Sequence, residues 1–273
     1  MSETNYINSE ARDVLKATSR TFYIPISHLK KGLQEAVASA YLCMRAIDEI
    51  EDHPELPSTT KSDLLLSVSQ ILQRKPFNGD ELKELFEPYQ SILPKVTIQL
   101  GNWIKICPLT ILESILNSTA TMAKGMAEWV RKDWQIKNEE DLDQYTYYVA
   151  GLVGVMLSDI WRWYDQTETD ENLAIAFGRG LQAVNILRNH DEDKTRGVSF
   201  FPEGWEVKDM YSYAQRNLEL ADQYIKDIKT SNILHFCKIP LALAHGTLEA
   251  LMKGKEKMSR LDVLKVVSRV VGK

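Results

Sequence analysis

Apolar residues recur along this chain at spacings of three and four, and the strict apolar–polar alternation of a half-buried strand is scarce. The pattern predicts helices at 6–17, 30–52, 60–73, 80–93, 109–133, 139–165, 171–194, 208–228, 231–253 and 260–270. Punctuation agrees with it. His53-Pro54-Glu55-Leu56-Pro57 ends the second helix, Ser58-Thr59-Thr60 offers caps to the third, and Arg196-Gly197-Val198 ends the seventh. Pro240 falls inside the ninth helix and is a candidate kink or break. The stretch 74–108 is expected to be the least ordered, because Pro76, Pro88, Pro94 and Pro108 interrupt short amphipathic pieces there. No linker and no repeat of solenoid period divides the chain. The expectation is an all-α protein with one domain over 1–273.

Composition narrows the class. The chain has 273 residues, of which 44% are hydrophobic and 26% charged, ordinary values for a globular protein with a deep core. Its net charge of −5 disfavours nucleic acid as a partner. An anionic substrate would need local cations. Cys43, Cys107 and Cys237 follow neither a zinc spacing nor a disulfide framework, which fits a reducing compartment. The polar, acidic N-terminal segment is unlike a signal peptide. The longest strongly apolar run, 149–157, is far short of the ~20 residues of a membrane span. A cytoplasmic protein with at most peripheral membrane contact is expected.

Two acid-rich segments carry the chemistry. In Arg45-Ala46-Ile47-Asp48-Glu49-Ile50-Glu51-Asp52, Asp48 and Asp52 stand four apart on one helical face with Glu51 beside them. Like charges at that spacing repel, and a divalent cation reverses the sign of the interaction. Magnesium takes carboxylate oxygens while leaving positions open for phosphate. Arg45, three residues before Asp48, could meet that phosphate. Alone, such a run is more commonly a solvated helix end. Here it continues an apolar face of Val37, Ala40, Tyr41, Met44 and Ile47. In the second segment, Gln182 to Asp193, the residues Asn185, Asn189 and Asp193 share one face, and Arg188 and Glu192 form a neighbouring row. The alternative for this segment is a helix end passing into solvent; His190 and Asp191 are expected to point elsewhere.

Together these motifs resemble the squalene/phytoene synthase family, which couples two prenyl diphosphates head to head. Ser19-Arg20-Thr21-Phe22 is similar to the family's SRxF flap, and Tyr41 to Asp52 and Gln182 to Asp193 to its two aspartate-rich motifs. Gly125 to Trp129, Tyr145 to Gly154 and Phe236 to Pro240 look like the squalene synthase branch. The resemblance implies an isoprenoid synthase-type helical bundle around a central cavity. It also implies Mg²⁺ held by Asp48, Glu51 and Asp52 on one side and by Asn189, Glu192 and Asp193 on the other. The substrate implied is farnesyl diphosphate, coupled to squalene or a related C30 product. Asn189 departs from the aspartate usual in the family; an amide oxygen can bind magnesium but brings no charge.

By the same resemblance, Arg20, Arg45 and Arg188 are diphosphate clamps, and the common alternative for each is a surface ion pair. Tyr145 would stand near the carbocation or be a satisfied core tyrosine. Gly151 and Gly154 would either make room for a lipid chain or allow close helix packing. Phe22, Tyr41 and Phe236 would line the cavity or belong to plain core. Ser19 would cap the chain or touch phosphate, and Gln182 and Asn185 would belong to the diphosphate and metal region. The basic stretch Lys253 to Arg260 would meet a phosphate of NADPH or be a solvated loop. The alternatives to coupling are diphosphate hydrolysis, one-step prenyl transfer to a different acceptor, a phytoene or dehydrosqualene synthase reaction, and a non-catalytic helical lipid-binding protein. Oligomeric state is left open by these patterns.

Overall fold

The computed structural model of the protein describes residues 7–19, 21–195 and 197–272, with only the backbone at 271. Among the described residues there is no strand. The chain forms two compact units, Met1–Asp133 and Trp134–Lys273.

In the first unit α1 (Ser9–Thr18) starts where the Asn8 side chain accepts the Ala11 amide at 2.8 Å. The short α2 (Tyr23–Ser27) follows. The central element is α3 (Leu33–Glu51). Gly32 enters it at φ +86°, a conformation that costs glycine little, and the Glu35 carboxylate accepts the Gly32 amide at 2.5 Å. Small residues (Ala36, Ala38, Ser39, Ala40, Cys43, Ala46) are buried along α3, so neighbours approach from several sides. These are α4 (Ser58–Leu72), the short α6 (Lys95–Ile98) and α7 (Leu100–Ile104), and α8 (Leu109–Arg131). The intervening α5 (Asp80–Phe86) runs into a 3₁₀ turn at Glu87–Tyr89, which shortens the helix expected over 80–93. Pro88 denies that stretch a donor. α4 begins at Ser58 behind Pro57 with no side-chain cap, contrary to the caps expected there.

The stretch 74–108 is not loose. Its pieces buttress α3: Thr97 Oγ1 donates to the Ala46 carbonyl at 3.0 Å, and Ser39 Oγ to the Trp103 carbonyl at 2.9 Å. Trp103, Phe86 and Leu82 are fully buried. The prolines here set the corners of short helices rather than preventing them.

In the second unit the expected helix over 139–165 is interrupted. α9 (Glu139–Thr146) passes into a π turn at Tyr147–Gly151 before α10 (Leu152–Asp165). α11 (Glu171–Thr195) is the spine, flanked by α9, α10, α12 (Val207–Tyr224) and α13 (Ser231–Met252). α13 runs unbroken through Pro240. α14 (Arg260–Val271) packs on α13.

Glycine sets how closely the π turn and α10 approach α11. A Cβ at Gly154 would stand 2.0 Å from the Ala174 carbonyl oxygen, and one at Gly178 would stand 2.1 Å from that of Ala150. Of the two readings of Gly154, close packing is the one its surroundings fit. At Gly151 the nearest obstacle is a side-chain methyl, Ile175 Cγ2 at 3.1 Å.

Candidate active site

α3 carries its last turn out of the core with the acids on it. Asp48, Glu51 and Asp52 bring one oxygen each to within 4.8 Å of one another. Among the described residues no other three acidic, histidine or cysteine side chains close in this way. The carboxylates differ in setting: Glu51 is 4% exposed, Asp48 half-buried and Asp52 exposed. Burial, then the negative charge of Asp52, push the Asp48 carboxyl up to about 7, against the pull of Arg45. Three hard oxygen donors in mutual repulsion suit magnesium and not a thiolate-seeking metal.

Arg45 is already engaged. It forms ion pairs with Asp48 and, at 2.5 Å, with Glu49. Its Nε is buried without a hydrogen-bond partner. The guanidinium therefore serves as the internal counter-ion of the cluster and keeps one donor uncommitted. Lys61 secures the helix end by donating from Nζ to the Glu51 carbonyl at 2.7 Å, although its side chain is buried. Lys61→Met should cost about 1–3 kcal/mol, the usual loss of a charge-assisted bond in a buried setting. Urea denaturation checks it.

Next to this turn the structure gathers Ser19, Phe22 and Tyr41. The Phe22 amide donates to Ser19 Oγ at 3.0 Å, the Tyr41 hydroxyl donates to the Thr18 carbonyl at 2.8 Å, and the Phe22 and Tyr41 rings lie 6.1 Å apart. Ser19 thus caps the following turn and is buried. Tyr41 and Arg45 are one helical turn apart on α3, so this cluster adjoins the acids. Arg20 lies outside the described residues.

In the second unit Asn185, Asn189 and Asp193 follow one another at single turns of α11, as their spacing requires. Exposure falls along the row: Asn185 is exposed, Asn189 half-buried and Asp193 5% exposed. Arg188 Nε donates to Asn189 Oδ1 at 3.2 Å, and Glu192 is exposed. His190 points elsewhere, stacked on Phe201 with centroids 4.1 Å apart, and Asp191 is exposed. Gln182 is half-buried.

Tyr145 is buried and stacked on Phe200 at 5.0 Å, immediately before the π turn. An interrupted helix beside a candidate residue is frequent at functional sites. The end of α9 is clamped there. Arg179 donates to the Asp143 carbonyl at 2.9 Å, the Tyr213 hydroxyl donates to Asp143 Oδ1 at 2.7 Å, and Thr146 Oγ1 meets the same hydroxyl at 3.1 Å. The spacing of the sequence did not reveal this clamp, because its partners are 36 and 70 residues away. Phe236 packs edge-on against Trp161 at 5.6 Å, and Trp161 Nε1 donates to the Tyr224 hydroxyl at 3.1 Å.

A model of the squalene/phytoene synthase family matches residues 15–210, most of the chain and both acid motifs. The chain belongs to the squalene/phytoene synthase family. Among curated relatives, the squalene synthase of Dictyostelium discoideum is 30% identical over 87% of this chain, and that of Mus musculus is 28% identical over 86%. The chain spans 62% of the length of each. Its fold is that of the solved squalene synthases. A TcSQS structure with a bound ligand matches 96% of this chain and 85% of its own at TM-score 0.78 and 21% identity. A dehydrosqualene synthase in complex with a ligand matches 97% and 95% at TM-score 0.64 and 19% identity. The all-α isoprenoid synthase fold expected for the family is therefore present. Among the described residues no helix is long and apolar enough to cross a membrane.

Proposed function

We propose that this protein is a magnesium-dependent prenyltransferase that condenses two farnesyl diphosphates head to head, through presqualene diphosphate, to squalene or a related C30 product. The observation that carries the reading is the closure of Asp48, Glu51 and Asp52 at the end of a buried helix, in a chain that belongs to this family. We treat 1–273 as one synthase-like domain; the family match across 15–210, which spans both units, supports this.

Asp48, Glu51 and Asp52 would hold magnesium from the first motif, and Asn189, Glu192 and Asp193 from the second. Bound magnesium supplies charge neutralisation for a departing diphosphate. Arg45 offers its buried, unpartnered Nε to a phosphate oxygen, and Arg188 and Arg20 would act as further clamps. Ser19, Gln182 and Asn185 would complete the diphosphate region. Tyr145, with its ring held against Phe200, would present a π face or a hydroxyl to the allylic cation. Phe22, Tyr41, Gly151 and Phe236 would form apolar walls that keep water from it. Coupling forms the cyclopropyl carbon skeleton and releases one diphosphate and one proton. The second ionisation releases the other diphosphate, and NADPH would supply the hydride that completes squalene. Without that hydride, dehydrosqualene or a hydroxylated C30 product results. The buried thiols of Cys43, Cys107 and Cys237, not joined in disulfides, support a reducing, cytoplasmic setting.

Incubation with labelled C15 and C20 diphosphates and magnesium, with and without NADPH, followed by mass analysis, tests the reading. The expected products are presqualene diphosphate and a C30 hydrocarbon from the C15 substrate. Farnesol alone would overturn coupling and favour the second reading, diphosphate hydrolysis or one-step transfer, which rests on Asn189 bringing no charge to the second motif. No magnesium-dependent turnover at all would favour a lipid-binding protein.

A further inference from the structure

The last 21 residues of the chain carry seven basic and two acidic side chains, leaving an excess of ten acidic charges on the rest. Of the four large apolar side chains most exposed among the described residues, three lie at this basic end; the fourth, Leu109, starts α8. Leu261 and Leu264 on α14 are 60% and 64% exposed, and Met252 at the end of α13 is 66% exposed. None of the residues of α14 from Arg260 to Val270 is buried, yet it is a capped helix: Ser259 Oγ accepts the Asp262 amide at 3.1 Å.

The arrangement around α14 is specific. At about 100° per residue, Leu261 and Leu264 lie about 60° apart with Ser268 between them. Arg260 stands about 40° beyond one edge of this stripe and Lys265 about 40° beyond the other, with Arg269 about 40° further round than Lys265. Val266, on the opposite side, faces α13: a Cβ at Gly246 would meet it at 3.9 Å. The acid on the helix, Asp262, lies away from the stripe and is bonded to Ser259 at 2.6 Å. The outward face of α14 is thus two leucines rimmed by cations.

We propose that this face docks in the plane of an anionic lipid bilayer, with Leu261 and Leu264 entering the acyl boundary and Arg260, Lys265 and Arg269 meeting the headgroups. A nucleic acid would satisfy the cations and leave the leucines in water, and an apolar protein groove would leave the cations without partners. A bilayer of acidic lipids offers both layers at the right depth. The acidic remainder of the chain is repelled by the same surface, which restricts contact to this end. The proposal does not depend on the catalytic reading.

Co-sedimentation of the full chain with vesicles of phosphatidylcholine, alone or mixed with phosphatidylglycerol, tests it. Binding to the mixed vesicles should be at least about tenfold tighter at low salt and should fall as salt is added. L261S/L264S should weaken it about tenfold while keeping the salt dependence, because it removes apolar burial alone. K265E/R269E should remove the preference for acidic lipid. Helical circular dichroism and melting should be unchanged in both variants, since Leu261, Leu264, Lys265 and Arg269 are all exposed. Equal affinity for the two vesicle types in the parent chain would overturn the proposal. So would self-association abolished by L261S/L264S in the absence of vesicle binding, which would assign the face to a second copy.

Discussion

Asp52→Asn should lower magnesium-dependent turnover of farnesyl diphosphate by about 10²–10³-fold, the usual effect of removing one preorganised charge-stabilising group. Asp48→Asn should do the same to activity but the opposite to stability. In the metal-free protein Asp48 is raised from its ordinary value to about 7 by burial and by Asp52. A carboxyl raised on folding contributes stability that is complete below its unfolded value and is lost as pH climbs through its folded one. The metal-free parent should therefore weaken between about pH 4 and 7, while Asp48→Asn stays flat across that window. The full shift would correspond to about 4 kcal/mol. Water reaches 29% of the Asp48 side chain and Arg45 loses a partner in the variant, so a gain of about 1–2 kcal/mol at pH 8 is expected. Thermal unfolding at pH 5 and pH 8, with and without magnesium, reads both signs. A variant no more stable than the parent at pH 8 would mean the acids do not repel, and the cluster would lose its case as a metal site.

Gly178→Ala and Gly154→Ala should each destabilise the protein by about 3 kcal/mol or more. Two effects compete. Alanine favours the helix by about 1 kcal/mol over glycine. Against that, the added methyl would stand 2.1 Å from the Ala150 oxygen or 2.0 Å from that of Ala174. The obstacle is main chain, which cannot rotate aside as a side chain can, so overpacking wins. At Gly151, where a single methyl of Ile175 stands 3.1 Å away, alanine should cost much less. Urea denaturation of the three variants gives the ranking; a neutral Gly178→Ala would show that the π turn and α11 can separate freely.

The long helices were legible because each repeats its apolar face over several turns and is bounded by caps or breakers; α3, α8 and α11 fall within a few residues of their expected limits. α2, α6 and α7 were not, since four or five residues make about one turn and display no period. The π turn at Tyr147–Gly151 was hidden for a different reason: one residue added to one turn shifts a face without erasing the pattern. Within the site, the spacing of Asp48, Glu51 and Asp52 was enough to foresee their convergence, because a single helix positions all three. The Tyr145–Phe200 stack and the Arg179–Asp143–Tyr213 clamp depend on tertiary contacts across 36 to 70 residues, and no local pattern encodes those.

Arg45 bonds to Asp48 and Glu49 while its Nε remains without an acceptor. Under the proposed function, a cation that drew Asp48 away would leave Arg45 with one partner instead of two and freer to meet a diphosphate. The same side chain would then work as a latch whose opening prepares the clamp, and the expected order of addition would be cation first and prenyl chain second.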